Sequence, residues 1–421
     1  MKFTFGDFGK NFGRERIYAD WAATTPIRGE VEKVMKKARK MWANPSAIYR
    51  EGVEAKRALE NMRAKSAKIL GVKPEEVYFT SGGTEANAMI IQGVLRRHLE
   101  RAEGVHIVAS AIEHSSVLET LKIFEKRGVK VTYVSPRPDG VVRADEILAV
   151  IKPDTVLVTC MYANNEIGTV QPVSKIGAGI RKIRAEKLSD WPVFHVDASQ
   201  APLWLSCELE GLRADAMTLD AHKMQGPKGV GALVVRRHVN FEPLMVGGGQ
   251  EHNKRPTTES LELITGFTVA LEIAQREREE KSKKAKKIQK YFFAELEKKL
   301  PQAITNGSLE KRLPNNVNIS LPNISDPEMA VLMLDKAGIA CSTKSSCLKG
   351  EENSYVVEAM ISGDLNRTDG EVFGVEGKSD EGGASNGAEK WRARNTLRFT
   401  FSAKTNHAEI DTIITSLKML K

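Results

Sequence analysis

The chain has 421 residues, 41% of them hydrophobic and 28% charged, enough to bury one large domain and a smaller one. No apolar run approaches the roughly 18 residues of a membrane span, and Met1–Gly13 lacks a secretory apolar stretch, so a cytoplasmic protein is expected. Four cysteines with no Cys-x-x-Cys exclude a disulfide framework, and much of the lysine behind the net charge of +9 lies in Arg276–Lys299, interleaved with Glu like a solvated helix face.

Taken in chain order, a short arm precedes helical periodicity over Glu30–Lys40 and Glu51–Leu70, the second closed by Gly71. Seven short β-rich runs follow: Val77–Thr80, Val105–Ala109, Lys130–Val134, Val156–Cys160, Val193–Val196, Ala216–Leu219 and Gly231–Val235. Helical stretches Glu85–Leu99, Ser116–Arg127 and Val173–Leu188 alternate with them. The pattern predicts an α/β fold with a mostly parallel seven-stranded sheet, helices on both faces and ligands at the strands' carboxyl ends. The domain expected over 15–260 holds that sheet. A second, 261–421 with the arm 1–14, is reached through a long helix from Glu259 to about Lys299. It opens with a strand at Asn316–Leu321, a helix at Asp326–Lys336 and a strand at Arg398–Ser402. Residues 362–390 are rich in Gly, Asp, Glu, Ser and Asn and read as a flexible insertion.

Chemistry-bearing residues fall just after these strands. Thr80-Ser81-Gly82-Gly83-Thr84-Glu85 opens a helix after a strand, either as a phosphate cradle or as an ordinary glycine-rich turn. It is neither a P-loop nor G-x-G-x-x-G. His114 and the Asn164-Asn165-Glu166 turn each have a structural reading (hydrogen-bonded histidine, capped turn) beside a catalytic one. Asp197 ends one apolar strand. A second runs into Asp220-Ala221-His222-Lys223 before a glycine-rich turn. Such a layout can hold an aromatic, phosphorylated aldehyde, with the lysine amine on the aldehyde and Asp197 facing a pyridinium nitrogen. Cys160 reads as a buried strand residue. Cys347, on a polar stretch between Lys344 and Lys349, has the setting of a lowered thiol pKa. His195 and Asp197 share a strand face without a third ligand, so no metal site is supported.

As a set these residues resemble the pyridoxal-phosphate enzymes of aminotransferase class V, and among them the cysteine desulfurases of the NifS/IscS type. The likeness runs from Tyr18-Ala-Asp-Trp-Ala-Ala-Thr-Thr-Pro26 through Asn44-Pro-Ser46, Glu113-His114, His195-Val-Asp197-Ala-Ser-Gln200, His222-Lys223, Gly247-Gly-Gly-Gln250-Glu251 and Ser346-Cys347 to Arg398-Phe. It implies fold type I and a pyridoxal 5′-phosphate cofactor bonded to Lys223. Asp197 would pair with the ring nitrogen, and His114 would stack on the ring and move protons. Asn165 and Gln200 would hold the phenolic oxygen, and Gly83, Thr84 and His222 the phosphate. Thr258 would reach the phosphate of a neighbouring subunit, hence a homodimer. Arg398, with Asn165, would bind the substrate carboxylate. Cys347 would accept sulfur from L-cysteine as a persulfide, release alanine, and pass the sulfur to an iron–sulfur scaffold or a tRNA-thiolating enzyme.

Three positions depart from the family's pattern. Asp220 replaces a serine on the phosphate and is expected to turn toward Lys228 or another cation. Thr257 replaces a glycine, and Thr343-Lys-Ser-Ser346 precedes Cys347 in place of a more flexible loop. The rival readings are a selenocysteine lyase or aminotransferase of the same family, a catalytically silent sulfur-transfer scaffold, and a basic RNA-binding protein.

Overall fold

All seven β-rich runs join one sheet, because their apolar, β-branched side chains can be covered on both faces by helices. The computed structural model describes residues 16–99, 104–324, 326–343, 353–362, 367–368 and 390–420. Across the sheet the order is Lys130–Val134, His106–Ser110, Thr155–Thr159, Val193–Asp197, Ala216–Asp220, Gly231–Val235 and Val77–Thr80. The first five are mutually parallel, and Gly231–Val235 runs antiparallel to both its neighbours. An eighth strand, Arg367–Thr368, pairs antiparallel with Lys130–Val134 at the edge. It falls within the insertion expected over 362–390, most of which lies outside the described residues.

Alternation splits the sheet's side chains between two cores. Val108, Val158, Phe194 and Val196 join one with the helices Gly29–Ala38 and Arg50–Leu70. Ile107, Ala109, Leu157 and Val193 join the other with the helices Gly83–Leu99 and Ser115–Glu125. Gly71 caps Arg50–Leu70 at φ 66°, the left-handed conformation that a helix end of this kind uses.

The long helix spans Leu261–Lys299 and serves two cores. Its first half buries Leu261, Ile264, Phe267 and Leu271 beneath the large sheet. Its last turns bury Phe292 and Leu296 against a three-stranded antiparallel sheet of Ile304–Thr305, Asn316–Ser320 and Thr396–Thr400. The N-terminal strand Ile17–Tyr18 pairs in parallel with Ile339–Ala340, so this strand, within the range 15–260 expected for the large domain, packs with the smaller core instead. Among the described residues, six helices lie beyond those expected from periodicity: Ala144–Ala149, Leu209–Leu212, Gln250–Asn253, Tyr355–Ser362, Lys390–Arg394 and His407–Leu417. Among the described residues, no helix is long and apolar enough to cross a membrane.

The topology has one chemical consequence. Residues following the strands Val77–Thr80, His106–Ser110, Thr155–Thr159, Val193–Asp197 and Ala216–Asp220 emerge at the same edge of the sheet.

Candidate active site

Lys223 closes a single 3-10 turn, Ala221–Lys223, directly after the strand Ala216–Asp220. The arm before it in sequence fixes that turn. Thr25 donates both its N–H (2.9 Å) and its hydroxyl (2.8 Å) to the His222 carbonyl. Gln225 N donates to Thr25 Oγ1 at 2.8 Å, and His222 Nδ1 lies 3.0 Å from Thr24 Oγ1. Lys223 is thereby held at one wall of a cavity of about 140 Å³. Gly83, Thr84, His114, Asn165, Asp197, Gln200 and His222 line the same cavity. Segments separated by up to 140 residues are brought together by the shared edge.

Asp197 is tightly oriented. Its Oδ1 accepts the N–H and hydroxyl of Ser199 at 2.9 and 2.6 Å, and its Oδ2 accepts Asn87 Nδ2 at 2.8 Å. Asn87 also donates to Ser116 Oγ at 2.9 Å, which links the helix Gly83–Leu99 to the start of Ser115–Glu125. Beneath Asp197, His195 bridges the flanking strands through Thr159 Oγ1 (2.9 Å) and Thr218 Oγ1 (3.1 Å). Burial pushes its pKa down to about 4, so it is a neutral, satisfied core histidine. Neither Asn87 nor Ser199 had been assigned a role from sequence. The signal was available for Asn87, which follows Thr84 by three residues and shares its helix face.

His114 caps the helix Ser115–Glu125, its Nδ1 accepting from Ser116 N at 3.1 Å. Burial, and then the nearby Lys223 charge, hold its pKa below the ordinary histidine value. The structural and cavity-facing readings of His114 are therefore both satisfied by one side chain. Glu113 beside it is fully buried; its Oε1 accepts from Met161 N at 2.7 Å and from Ser110 Oγ. Burial pushes its carboxyl up to about 8.

The remaining expected residues divide. Asn165 presents a buried Oδ1 with no hydrogen-bond partner, whereas Gln200 gives its amide to the Ala22 carbonyl at 2.9 Å. Arg398 is buried behind Asn165 rather than in the cavity wall. Its Nη1 donates to the Asn165 carbonyl at 2.9 Å and its Nη2 to Asp20 Oδ1 at 2.8 Å. Thr258 lines a separate cavity with Phe79, Thr80 and Gly229. Thr257 before it takes φ 120°, a conformation that favours glycine, so the backbone keeps the shape the glycine would give at the expense of strain.

Asp220 corrects an expectation. It does not turn toward Lys228: its Oδ2 accepts the backbone N–H of Gly83 at 2.9 Å and lies 3.4 Å from His222 Nε2. The reason is local. Asp220 is the last residue of its strand, directly opposite Gly231, against which the Gly82 backbone packs so closely that an added Cβ would meet it at 2.8 Å. The first N–H of the helix Gly83–Leu99 is thus within reach.

Of the four thiols, Cys160, Cys207 and Cys341 are buried and unbridged. Burial raises all three, Cys207 and Cys341 to about 12, which disfavours the thiolate. Cys347 lies outside the described residues, but both flanks of its segment are tied to the site. On one side Ser342 pairs with Arg398 through two backbone hydrogen bonds, 3.2 and 2.6 Å. On the other, Ser354 Oγ donates to Glu166 Oε2 and Tyr355 OH to the Glu113 carbonyl, each at 2.6 Å.

The residues present fit a pyridine aldehyde. An amine, an oriented carboxylate, an imidazole and an orphaned amide oxygen face one cavity. A Cβ at Gly83 would come within 3.0 Å of Ser199 Oγ and 3.2 Å of Asp220 Oδ2, so only glycine leaves that end open. The phosphate end is the exception, since Asp220 already occupies the helix N–H there.

Comparison with known proteins agrees with this geometry. Residues 17–412 match the aminotransferase class-V family. A cysteine desulfurase IscS of Dictyoglomus turgidum is 38% identical over 350 residues, 82% of this chain and 86% of that protein. One from Methanosarcina thermophila is 38% identical over 355 residues, 83% of this chain and 85% of that protein. Among solved structures, a NifS-like protein superposes with a TM-score of 0.82 at 32% identity, covering 96% and 98% of the two chains. A structure of SspA in complex with cysteine gives 0.71 at 29% identity, covering 93% and 100%.

Proposed function

The chain belongs to the aminotransferase class-V family, and from that we propose that it is a pyridoxal-phosphate-dependent cysteine desulfurase, converting L-cysteine to alanine with transfer of the sulfur. The observation that carries the reading is the single cavity lined by Lys223, Asp197 and His114, with both flanks of the Cys347 segment bonded to residues around it.

Bound pyridoxal phosphate supplies an aldehyde for amines and a protonated ring that accepts the charge left when an α-proton departs. This chain's residues do the rest. Lys223, at the wall of the cavity, would be the amine that holds the aldehyde. Asp197, oriented by its three hydrogen bonds, would hold the proton on the ring nitrogen. His114, whose depressed pKa keeps it neutral, is placed to take and return a proton at the substrate. Asn165, which lines the cavity, would offer its unpartnered Oδ1 as an acceptor there. Arg398 binds the substrate carboxylate on exchanging Asp20 for it. The Cys347 thiolate attacks the substrate sulfur, the carbon–sulfur bond breaks toward carbon, and that carbon takes up a proton to become alanine. The persulfide left on Cys347 is then delivered to an acceptor, an iron–sulfur scaffold or a tRNA-thiolating enzyme.

A homodimer is part of this reading. Trp42 and Ile48 are 79% and 96% exposed and Val246 90%. They flank a cavity formed by Pro45, Ser46 and the loop Gly248–Asn253. Apolar residues that exposed are suited to a second copy, and Thr258, away from its own chain's Lys223, is suited to the partner's site. Three buried, unbridged cysteines accord with a reducing cytoplasm.

The test is product stoichiometry. Purified protein that turns yellow with pyridoxal phosphate should release alanine and, with a reductant, sulfide in equal amounts from L-cysteine. Release from selenocysteine alone would move the assignment to a lyase. A protein that never colours would fit a scaffold.

A further inference from the structure

Asp220 is the residue that the reaction does not use. It is 8% exposed, its Oδ2 accepts the Gly83 N–H at 2.9 Å, and its Oδ1 is buried with no hydrogen-bond partner. Gly83 is the first residue of a 17-residue helix, whose end attracts anions. His222 Nε2 lies 3.4 Å away on the other side. The donors assigned above to a phosphate, the Gly83 N–H and His222, are therefore already satisfied by a carboxylate of this chain. The groups that act on Asp220 come from several elements. Gly83 belongs to the helix, His222 and Lys223 to the turn after the strand, and His114 to the loop after His106–Ser110. Asp197 ends the strand Val193–Asp197 and Ser199 follows it, with Ser199 Oγ next to the same Gly83 position. Burial opposes ionisation of Asp220, but the hydrogen bond and charge of His222, the Gly83 N–H and Lys223 together hold its pKa below the ordinary value.

We propose that Asp220 is a built-in anion on the phosphate seat, and that it sets the site's preference between phosphorylated and unphosphorylated forms of the cofactor. The proposal rests on the cofactor assignment made above. A phosphate ester enters this seat only when the carboxylate swings off the Gly83 N–H or takes up a proton. Two full anions cannot share one N–H at hydrogen-bond distance without mutual repulsion. An unphosphorylated pyridine alcohol meets no such conflict, because its hydroxyl can donate to the carboxylate. Where neutralisation is the route, binding consumes a proton and tightens as the pH falls.

The experiment measures binding of pyridoxine 5′-phosphate and of pyridoxine to the full-length apoprotein, compared among wild type, Asp220→Asn and Asp220→Ser. Neither probe has an aldehyde, so bonding to Lys223 does not enter. Near pH 8 the phosphorylated probe should bind about tenfold or more tightly to both variants than to wild type. Pyridoxine should change by less than about twofold, or weaken. The wild-type deficit should narrow toward about pH 6. The same ratio of the two affinities in wild type and both variants would overturn the proposal, as would weaker phosphate binding in both. The serine variant guards against a misfolded asparagine variant. If no form binds the phosphorylated probe or becomes coloured with pyridoxal phosphate, the cofactor assignment falls and this proposal with it. If wild type binds the probe as tightly as the variants, this proposal alone falls.

Discussion

Asn87, on a helix, donates its Nδ2 to Asp197 Oδ2 at 2.8 Å, so the carboxylate proposed to pair with the ring nitrogen is oriented from a neighbouring element. A hydrogen bond to an ionised group contributes on the order of 1.5–3 kcal/mol. Asn87→Ala should therefore weaken cofactor binding by roughly tenfold or more. Absorbance titration of the apoprotein measures this, and Asn87→Asp, which adds a like charge beside Asp197, should be worse.

Lys223→Ala should abolish the aldehyde-dependent absorbance band while leaving the far-ultraviolet circular dichroism unchanged. The turn that carries Lys223 is fixed by Thr25 and the His222 backbone, not by the lysine side chain. A coloured, borohydride-reducible Lys223→Ala protein would relocate the amine.

The flank of the Cys347 segment offers a different separation. Ser354→Ala and Tyr355→Phe each remove one hydrogen bond to the site while sparing every cavity-lining side chain. A typical hydrogen bond contributes about 1 kcal/mol. Turnover should fall about fivefold with cofactor affinity unchanged. Equal loss of both would show that these residues support the cofactor site generally.

Glu113 predicts a pH signature in stability. Its carboxyl, raised to about 8 by burial, keeps its proton in the folded state while the unfolded chain loses it near the ordinary value. The fold therefore has no penalty below that ordinary value, loses stability as pH rises toward about 8, and levels off above it. Glu113→Gln should be more stable than wild type near pH 8, with the gap closing near pH 5, as thermal melts across about that range would show.

Much of this was legible in the sequence, for identifiable reasons. Seven strands and the longer helices followed from apolar periodicity, as did the places of Lys223, Asp197 and His114 at or just after strand ends, while the roles proposed for them came from the family resemblance. What the sequence withheld was direction and distance. Nothing local says that Asp220 would choose the Gly83 N–H over Lys228. Nor does anything local announce that Arg398 would be held by Asp20, 378 residues away. Short helices such as Ala144–Ala149 and Lys390–Arg394 carry too few turns for a period to register.

The central claim is tested most directly on Cys347. Incubation of the pyridoxal-phosphate-loaded protein with L-cysteine, without reductant, should yield one alanine per site. It should also leave one added sulfur on the peptide containing Cys347, seen by mass spectrometry under non-reducing conditions. Cys347→Ala should retain the colour and form neither product. Alanine formed by Cys347→Ala at the wild-type rate, or added sulfur on Cys341 instead, would contradict the account.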